Sequence, residues 1–262
     1  MSVPGILAEI VARKQLESKA LRPQMAEFER RAADQKGRQR GFASSLRIRA
    51  VISPAIIAEI KQASPSRGLL TTEFRPTRMA RAYELGGAAA LSVLTDQDFF
   101  KGSLDDMVSV RGAVGLPILR KDFTIEELNI VEAAAWGADA VLLIAALHDA
   151  AALRRLREFA LSLGVDTLVE VHDAPELERT LESGATIVGV NNRDLRTFEV
   201  TLETSLRLAP LMPPNVFKVS ESGIFTREHI ETLRAAGFQA FLVGESLMKA
   251  PDPTTALRDL AA

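Results

Sequence analysis

The chain has 262 residues, 47% of them hydrophobic, and its 32 basic and 34 acidic side chains leave a net charge of −2 at pH 7. This length and composition predict one large domain with its own core. The balanced charge argues against a general basic surface, so we expect no nucleic-acid partner and no anionic membrane partner. The chain contains no cysteine, which excludes disulfides and thiolate chemistry and is typical of a cytoplasmic protein.

Neither a metal site nor a membrane segment is expected. The three histidines, His148, His172 and His229, are too dispersed to predict a metal cluster. Glu9 interrupts the apolar run that a signal peptide requires, and the most apolar internal stretch, Ala140–Leu147, is too short to cross a bilayer.

Apolar β-rich runs alternate with segments of helical period through most of the chain. The predicted strands are Ala55–Lys61, Ala89–Thr95, Pro117–Asp122, Ala140–Ile144, Thr167–Val171, Ile187–Asn191, Val216–Val219 and Ala240–Val243. Eight βα units predict an α/β fold with a (βα)8 TIM barrel as the leading architecture. A doubly wound open sheet is the alternative, but Ile60 is followed by KQASPS and not by a glycine fingerprint.

A weak internal repeat supports the barrel. Four glycines each end a helical pattern directly before the second, fourth, sixth and eighth strands. They are Gly87, Gly137, Gly184 and Gly237. A recurrence every two βα units is typical of a barrel with pseudo-fourfold repetition.

Residues 1–50 are predicted to form a helical extension packed on a barrel domain of residues 51–262. Ile6, Ile10 and Val11 indicate one amphipathic helix, and the charged stretch Phe28–Arg40 indicates a second helix or a linker. The extension is either a solvated tail or a lid that keeps water from the barrel mouth.

Ionisable side chains recur at the ends of four predicted strands, where an isolated charge inside a parallel sheet would be unfavourable. They are Glu59, Lys61, Lys121, Glu170 and Glu221. Corresponding strand ends meet at one face of a barrel, so these side chains predict a shared acid–base site. Glu59 and Lys61 alone could instead form a salt bridge at the rim. We expect a lysine pKa lowered by burial or by a nearby cation, which suits proton donation near pH 7.

Two loops after the last strands have small residues that would let backbone N–H groups approach a phosphate, although such residues also suit ordinary turns. They are Ser222 and Gly223, and Gly244 and Glu245. After the sixth strand, Asn191 offers amide donors, and Arg193 offers a planar fork for a carboxylate unless it pairs with Asp194.

Apolar residues also fall in the predicted mouth loops. Phe100, Phe123, Pro65 and Leu195 could form a flat slot for a ring, or each could serve only in packing.

Together these segments resemble the ordered motifs of the indole-3-glycerol phosphate synthase family. The motifs are IAEIKQASPSRG, LSVLTD, PILRKDF, LVEVHD, GVNNRDL, VSESGI and FLVGESLM, within residues 55–250. The segment ILAEIVARK is similar to the family's helical extension. The resemblance implies a carbon–carbon lyase of tryptophan biosynthesis. Such an enzyme converts 1-(2-carboxyphenylamino)-1-deoxyribulose 5-phosphate to indole-3-glycerol phosphate with loss of CO2 and water, and the chemistry needs no cofactor.

The resemblance also implies roles for single residues. Lys121 matches the general acid that protonates the C2′ carbonyl, and Glu170 matches a general acid–base. Glu59 matches a carboxylate that orients lysines or accepts a proton, and Lys61 matches a lysine that contacts substrate and phosphate and protonates the leaving hydroxyl. The remaining matches are Glu221 and Asn191 in the same pocket, Arg193 at the anthranilate carboxylate, Ser222, Gly223, Gly244 and Glu245 at the phosphate, and Ser64, Pro65, Phe100, Phe123, Leu142 and Leu195 around the substrate.

One position and two rival functions stay open. Some relatives have serine where Glu245 stands, so we expect its side chain to turn away from the phosphate. Phosphoribosylanthranilate isomerase would share the phosphate loops but not the acid–base set, and a non-catalytic sugar-phosphate-binding barrel would tolerate loss of those charges. We expect a small sugar-phosphate substrate and a monomer.

Overall fold

The protein is described by a computed structural model that covers residues 5–64, 68–71 and 73–262. Within these residues, eight parallel strands close into a barrel in which each strand pairs with the next and the last pairs with the first. The strands are β1 Ala55–Ile60, β2 Ala90–Leu94, β3 Ile118–Lys121, β4 Ala140–Ile144, β5 Asp166–Val171, β6 Ile187–Asn191, β7 Phe217–Glu221 and β8 Ala240–Val243. This closed topology confirms the TIM barrel and excludes the doubly wound sheet.

Helices precede the barrel and alternate with its strands. They are α1 Ile6–Leu21, α2 Met25–Gln35, α3 Phe42–Ile52, α4 Pro76–Gly86, α5 Leu104–Ala113, α6 Glu127–Ala135, α7 Ala150–Ser162, α8 Ala174–Glu182, α9 Glu203–Leu208, α10 Arg227–Ala235, α11 Glu245–Lys249 and α12 Pro253–Ala261. Polar side chains cap several of them: Ser103, Asp149 and Asp173 accept backbone N–H bonds at the starts of α5, α7 and α8.

The glycine repeat has the predicted backbone conformation. Gly87, Gly137, Gly184 and Gly237 have φ angles of 92°, 82°, 79° and 95°. A left-handed residue ends a helix, and glycine adopts that conformation without a steric penalty from a β-carbon.

The observed strands differ from the predicted ones mainly at their ends. β1 ends at Ile60, so Lys61 lies just beyond it, whereas β7 extends two residues past the predicted end to Glu221. After β1, the short segments Ala63–Ser64 and Gly68–Leu69 pair as an antiparallel hairpin that periodicity did not predict. Pro65 lies outside the described residues.

Alternation along the strands separates two apolar cores. In β1, Ile56 and Ala58 face the helices, while Ile57 faces the barrel interior. Phe42 and Leu46 of α3, both fully buried, close the interior at the amino ends of the strands. The floor of the interior is therefore mainly apolar.

The first two helices pack on the barrel, but α1 uses a different face from the predicted one. Its buried residues are Leu7, Ile10, Lys14 and Ser18, and of the three predicted positions only Ile10 is buried. In α2, Phe28 and Ala32 are buried in the outer core. The α2 side chain Arg31 stacks over the Trp136 ring at 3.8 Å. The predicted helix or linker at Phe28–Arg40 is helical only to Gln35.

The segment between α2 and α3 and the start of α3 are fixed to the barrel floor by two carboxylates, the buried Asp139 and the half-buried Asp166. The backbone N–H of Arg40 donates to Asp139 Oδ1 at 2.7 Å, and that of Ala43 donates to Asp166 Oδ2 at 2.8 Å. The Arg40 guanidinium also donates to the carbonyl oxygens of Val114 and Leu116, at 2.8 and 2.9 Å. This segment therefore has fixed contacts with the amino ends of β4 and β5.

Candidate active site

The same alternation that fills the barrel floor places charges at its mouth. Inward-facing positions continue from Leu119 to Lys121 in β3 and from Leu168 to Glu170 in β5. Residues of all eight strands line two adjoining cavities, which share Glu59, Lys61 and Lys121. The cluster of ionisable groups therefore lies at the carboxyl ends of the strands.

Lys121 is the centre of this cluster. Its ammonium donates to Glu170 Oε2 at 2.9 Å and to Glu221 Oε2 at 3.3 Å. Burial alone would lower the pKa of Lys121, but the carboxylates of Glu170, Glu221 and Glu59 outweigh burial and raise it above its usual range. The expected lowering of the lysine pKa is therefore wrong for Lys121, because three carboxylates surround the ammonium.

The two carboxyl groups beside Lys121 are shifted in opposite directions. Burial would raise the pKa of Glu170, but Lys121 and His172 outweigh it and hold this pKa well below its usual range. Burial raises the pKa of Glu221, Lys121 offsets only part of that effect, and repulsion from Glu170 adds to it. Two carboxyl groups with separated pKa values can divide the acid and base roles within one site.

Glu59 and Lys61 form a direct ion pair inside the mouth. Their side chains are only 7% and 17% exposed, so the alternative of an exposed rim salt bridge does not hold. The pair lies against Gly244, where an added β-carbon would come within 2.6 Å of Glu59 Oε1 and 3.0 Å of Lys61 Nζ. Because Gly244 has no side chain, the Glu59–Lys61 pair can lie against the end of β8.

The loops after β7 and β8 enclose the second cavity, beside Lys61 and Arg193. Its loop residues include Ser222, Gly223, Gly244 and Glu245. Ser222 and Gly223 have φ angles of 64° and 76°, so the chain turns tightly there. The cavity combines two cations with backbone that can approach a ligand closely, which suits an anionic group.

The Glu245 side chain lies near two cations, and its orientation relative to a bound phosphate stays a prediction. Its carboxylate accepts from Lys249 Nζ at 2.7 Å and lies 3.8 Å from the Arg193 guanidinium. Arg193 also donates to the Phe198 carbonyl oxygen at 3.3 Å. The Asp194 carboxylate is ion-paired with Arg196 at 2.8 Å.

An apolar wall faces the charged cluster. The rings of Phe100 and Phe123 have centroids 6.2 Å apart and are tilted by 40°. The other lining residues of this cavity that the sequence predicted are Ser64, Leu142, Asn191 and Leu195. Helix α1 adds Ile6, Leu7 and Ile10, which sequence reasoning did not assign to the site. The sequence predicted Ile6 and Ile10 as part of the apolar face of a tail or of a lid over the barrel mouth, and it missed Leu7.

A buried lysine attaches α1 to the barrel mouth, and sequence reasoning missed it. Lys14 Nζ lies 2.9 Å from Asp96 Oδ2 and 2.8 Å from Asp122 Oδ1. Burial would lower the pKa of Lys14, but Asp122 and Asp96 outweigh it and raise it. Burial would raise the pKa of Asp122, but Arg120 and Lys14 lower it to about 2. The helix is thus held by ion pairs one residue from Lys121.

A barrel with an acid–base cluster at the carboxyl ends of its strands and an anion-suited cavity beside its last two loops is a TIM-barrel enzyme. Residues 7–260 match the family described as Indole-3-glycerol phosphate synthase. A curated indole-3-glycerol phosphate synthase from Koribacter versatilis (strain Ellin345) is 48% identical over 248 residues, which cover 95% of each chain. The chain belongs to the indole-3-glycerol phosphate synthase family, and it is accordingly a carboxy-lyase of tryptophan biosynthesis.

Solved structures with lower identity share the fold. A thiamine phosphate pyrophosphorylase from Pyrococcus furiosus superposes with a TM-score of 0.59 at 16% identity, covering 81% of this chain and 95% of that one. A designed cube-shaped protein cage superposes with a TM-score of 0.55 at 15% identity, covering 79% and 70%. In the described parts of the chain, no helix combines the length and apolar character needed to cross a bilayer.

Proposed function

We propose that this chain forms indole-3-glycerol phosphate from 1-(2-carboxyphenylamino)-1-deoxyribulose 5-phosphate by general acid–base catalysis centred on Lys121. The observation that carries this proposal is the position of the Lys121 ammonium, which contacts both Glu170 and Glu221 between an apolar wall and an anion-suited cavity. The substrate has the matching parts, since it carries an aromatic ring at one end and a phosphate at the other.

Two fixed anionic groups would bend the substrate into a reactive shape. The phosphate would bind Lys61 and the backbone of the loops at Ser222–Gly223 and Gly244–Glu245. Arg193 would bind the anthranilate carboxylate, and the ring would lie against Phe100, Phe123, Leu142 and Leu195, with Ser64 and Asn191 as further contacts. Holding both ends brings the ring carbon close to the C2′ carbonyl and makes ring closure effectively unimolecular.

Lys121 would supply the proton for ring closure. As the ring carbon attacks C2′, a carbon–carbon bond forms and the carbonyl oxygen takes a proton from the ammonium. Loss of CO2 from the same ring carbon then restores aromaticity and leaves the electron pair in the ring. The surrounding carboxylates keep Lys121 protonated before the reaction, so its ammonium is available as the proton donor in every cycle.

The second half of the reaction removes water. The C2′ hydroxyl would leave with a proton from Lys61, while Glu59 or Glu170 accepts the proton that the new ring gives up at C1′. Glu221, with its raised pKa, would hold a proton near neutral pH and leave Glu170 as the ionised partner of Lys121.

The first 50 residues would serve as an extension on a catalytic domain of residues 51–262, with α1 excluding water from the occupied site. We further propose that the enzyme acts as a monomer in the cytoplasm, on a free small molecule and without a nucleic-acid partner.

The test is to mix purified protein with synthetic substrate in buffer containing EDTA and to follow indole fluorescence together with CO2 release. Both signals should rise in equal amounts without added metal or cofactor. A rearranged sugar without CO2 release would favour the isomerase, and binding without turnover would favour the non-catalytic barrel. Light scattering at working concentration tests the monomer.

A further inference from the structure

His172 directly follows β5 and lies beside Glu170, on the oxygen that Lys121 does not contact. Its Nε2 is 3.4 Å from Glu170 Oε1, and its Nδ1 is 3.0 Å from Glu176 Oε2 in the first turn of α8. The backbone N–H of His172 donates to the same Glu176 oxygen at 2.8 Å. The ring is therefore fixed between two carboxylates, one of which belongs to the acid–base cluster.

The surroundings of the ring favour its charged form. Nδ1 is within hydrogen-bond distance of Glu176, whereas Nε2 is at ion-pair distance from Glu170 without hydrogen-bond geometry. A neutral imidazole would present a lone pair to one of the two carboxylates, and only the imidazolium attracts both. Burial would lower the pKa of His172, but the same two carboxylates outweigh burial and raise it to about 10.

We infer that His172 is a positioning residue, whose imidazolium holds Glu170 Oε1 and thereby keeps the ionised Glu170 Oε2 on the Lys121 ammonium. The inference rests on the proposed function in that Lys121 and Glu170 form its acid–base pair. A row of alternating charge then runs into the barrel through Glu176, His172, Glu170 and Lys121.

The other charged groups near His172 do not offset the stabilisation of its imidazolium by Glu170 and Glu176. On α8, Asp173 caps the helix and Glu176 contacts the ring, and on β3 Lys121 reaches only the far oxygen of Glu170. Arg196, from the loop after β6, interacts with Asp173 and Glu176 at the surface. We therefore expect His172 to stay charged throughout the pH range of activity.

The central experiment compares His172→Gln with the parent, with His229→Gln, a half-buried histidine of α10, as the matched control. Loss of a side chain that orients another functional group lowers activity by roughly 10- to 100-fold. We expect that loss in kcat, with KM changed less than about 2-fold because His172 holds Glu170 and not the substrate. The acid limb of the kcat–pH profile should move upward by about one pH unit, since Glu170 loses a cation that lowers its pKa.

Histidine NMR tests the charge directly in the parent protein. One imidazole should stay protonated through pH 8, and its signal should be absent from His172→Gln. If His172→Gln is unfolded by circular dichroism, Glu176→Gln replaces it, and the same fall in kcat and the same shift of the acid limb are expected.

Two outcomes would overturn the inference: a neutral His172 at pH 7, or a folded variant with the kcat and acid limb of the parent. A parent protein that makes no indole would instead refute the proposed function, while the NMR titration would still report the charge of His172.

Discussion

The carboxylate of Glu221 occupies the space that a side chain on Gly189 would need. The two residues lie on the adjacent strands β6 and β7, and a β-carbon added to Gly189 would overlap Glu221 Oε1 and lie 3.2 Å from its Cδ. The position of Glu221 in the acid–base cluster therefore depends on a glycine at residue 189 in the neighbouring strand.

Gly189→Ala should therefore displace Glu221 from Lys121 and lower kcat. We expect a fall of about 10²-fold, because both groups are needed for proton transfer. Gly112→Ala is the matched control, since a β-carbon at Gly112 would meet no atom within 4 Å. Steady-state kinetics on both folded variants would check this, and equal rates in the two would contradict the steric argument.

Lys121→Ala should remove about 10²–10⁴-fold of turnover, the usual range for a lost general acid, and change substrate binding little. Binding is measured by fluorescence titration and turnover by indole formation. Added methylamine should restore part of the rate, since the cavity left by Lys121 lies between two carboxylates. Near-normal turnover in the variant would refute the proton-donor role.

Gly244→Ala should raise KM by about 10-fold, equivalent to about 1.4 kcal/mol of binding. An added β-carbon would push against Glu59 and Lys61 and would occupy space beside the proposed phosphate position. An analogue without phosphate should lose less affinity than the complete substrate. Equal losses for both ligands would argue against a phosphate at this loop.

Lys14→Met should loosen α1, because it leaves Asp96 and Asp122 without their shared cation. Breaking a buried pair costs about 3 kcal/mol, and we expect most of that cost in the docking of α1. Hydrogen exchange over residues 6–21 should accelerate, and KM should rise. Exposed Lys19→Met in the same helix is the control, and similar exchange in the two variants would refute the docking role.

The Asp122 carboxylate should make stability depend on acid pH. Its pKa is about 2 in the folded protein against 3.8 for the unperturbed group, so the unfolded chain binds the proton more readily. The contribution is complete above about pH 4 and falls as pH decreases toward 2. The difference in unfolding free energy between the parent and Asp122→Asn should shrink by about 2 kcal/mol between pH 5 and pH 2. A constant difference in urea melts would contradict this assignment.

Local sequence patterns were sufficient to predict the barrel and many of the side chains at its mouth. Apolar β-rich runs between segments of helical period identified the strands. Charges at the carboxyl ends of these strands identified Lys121 and Glu170, because every barrel strand places its last inward residue at the same face. The side chains of Glu59 and Lys61 meet for the same reason. Their catalytic roles stay predictions, as does the absence of any metal or cofactor.

What the sequence could not supply was the partner of each charge. The Lys14 ion pairs join a helix to strands about a hundred residues away. The role of His172 depends on the carboxylates on both sides of its ring, which the sequence pattern could not reveal. The direction of the Lys121 pKa shift was wrong for the same reason, since it depends on three carboxylates from three strands.

The contacts at the barrel floor also determine when the first helices can dock on the barrel during synthesis. Arg40 and Ala43 bond to carboxylates that lie 99 and 123 residues later in the chain. At ordinary ribosomal rates, that interval is on the order of ten seconds. The amphipathic N-terminal segment therefore remains outside the ribosome with its apolar faces exposed. We expect chaperones to bind this segment first.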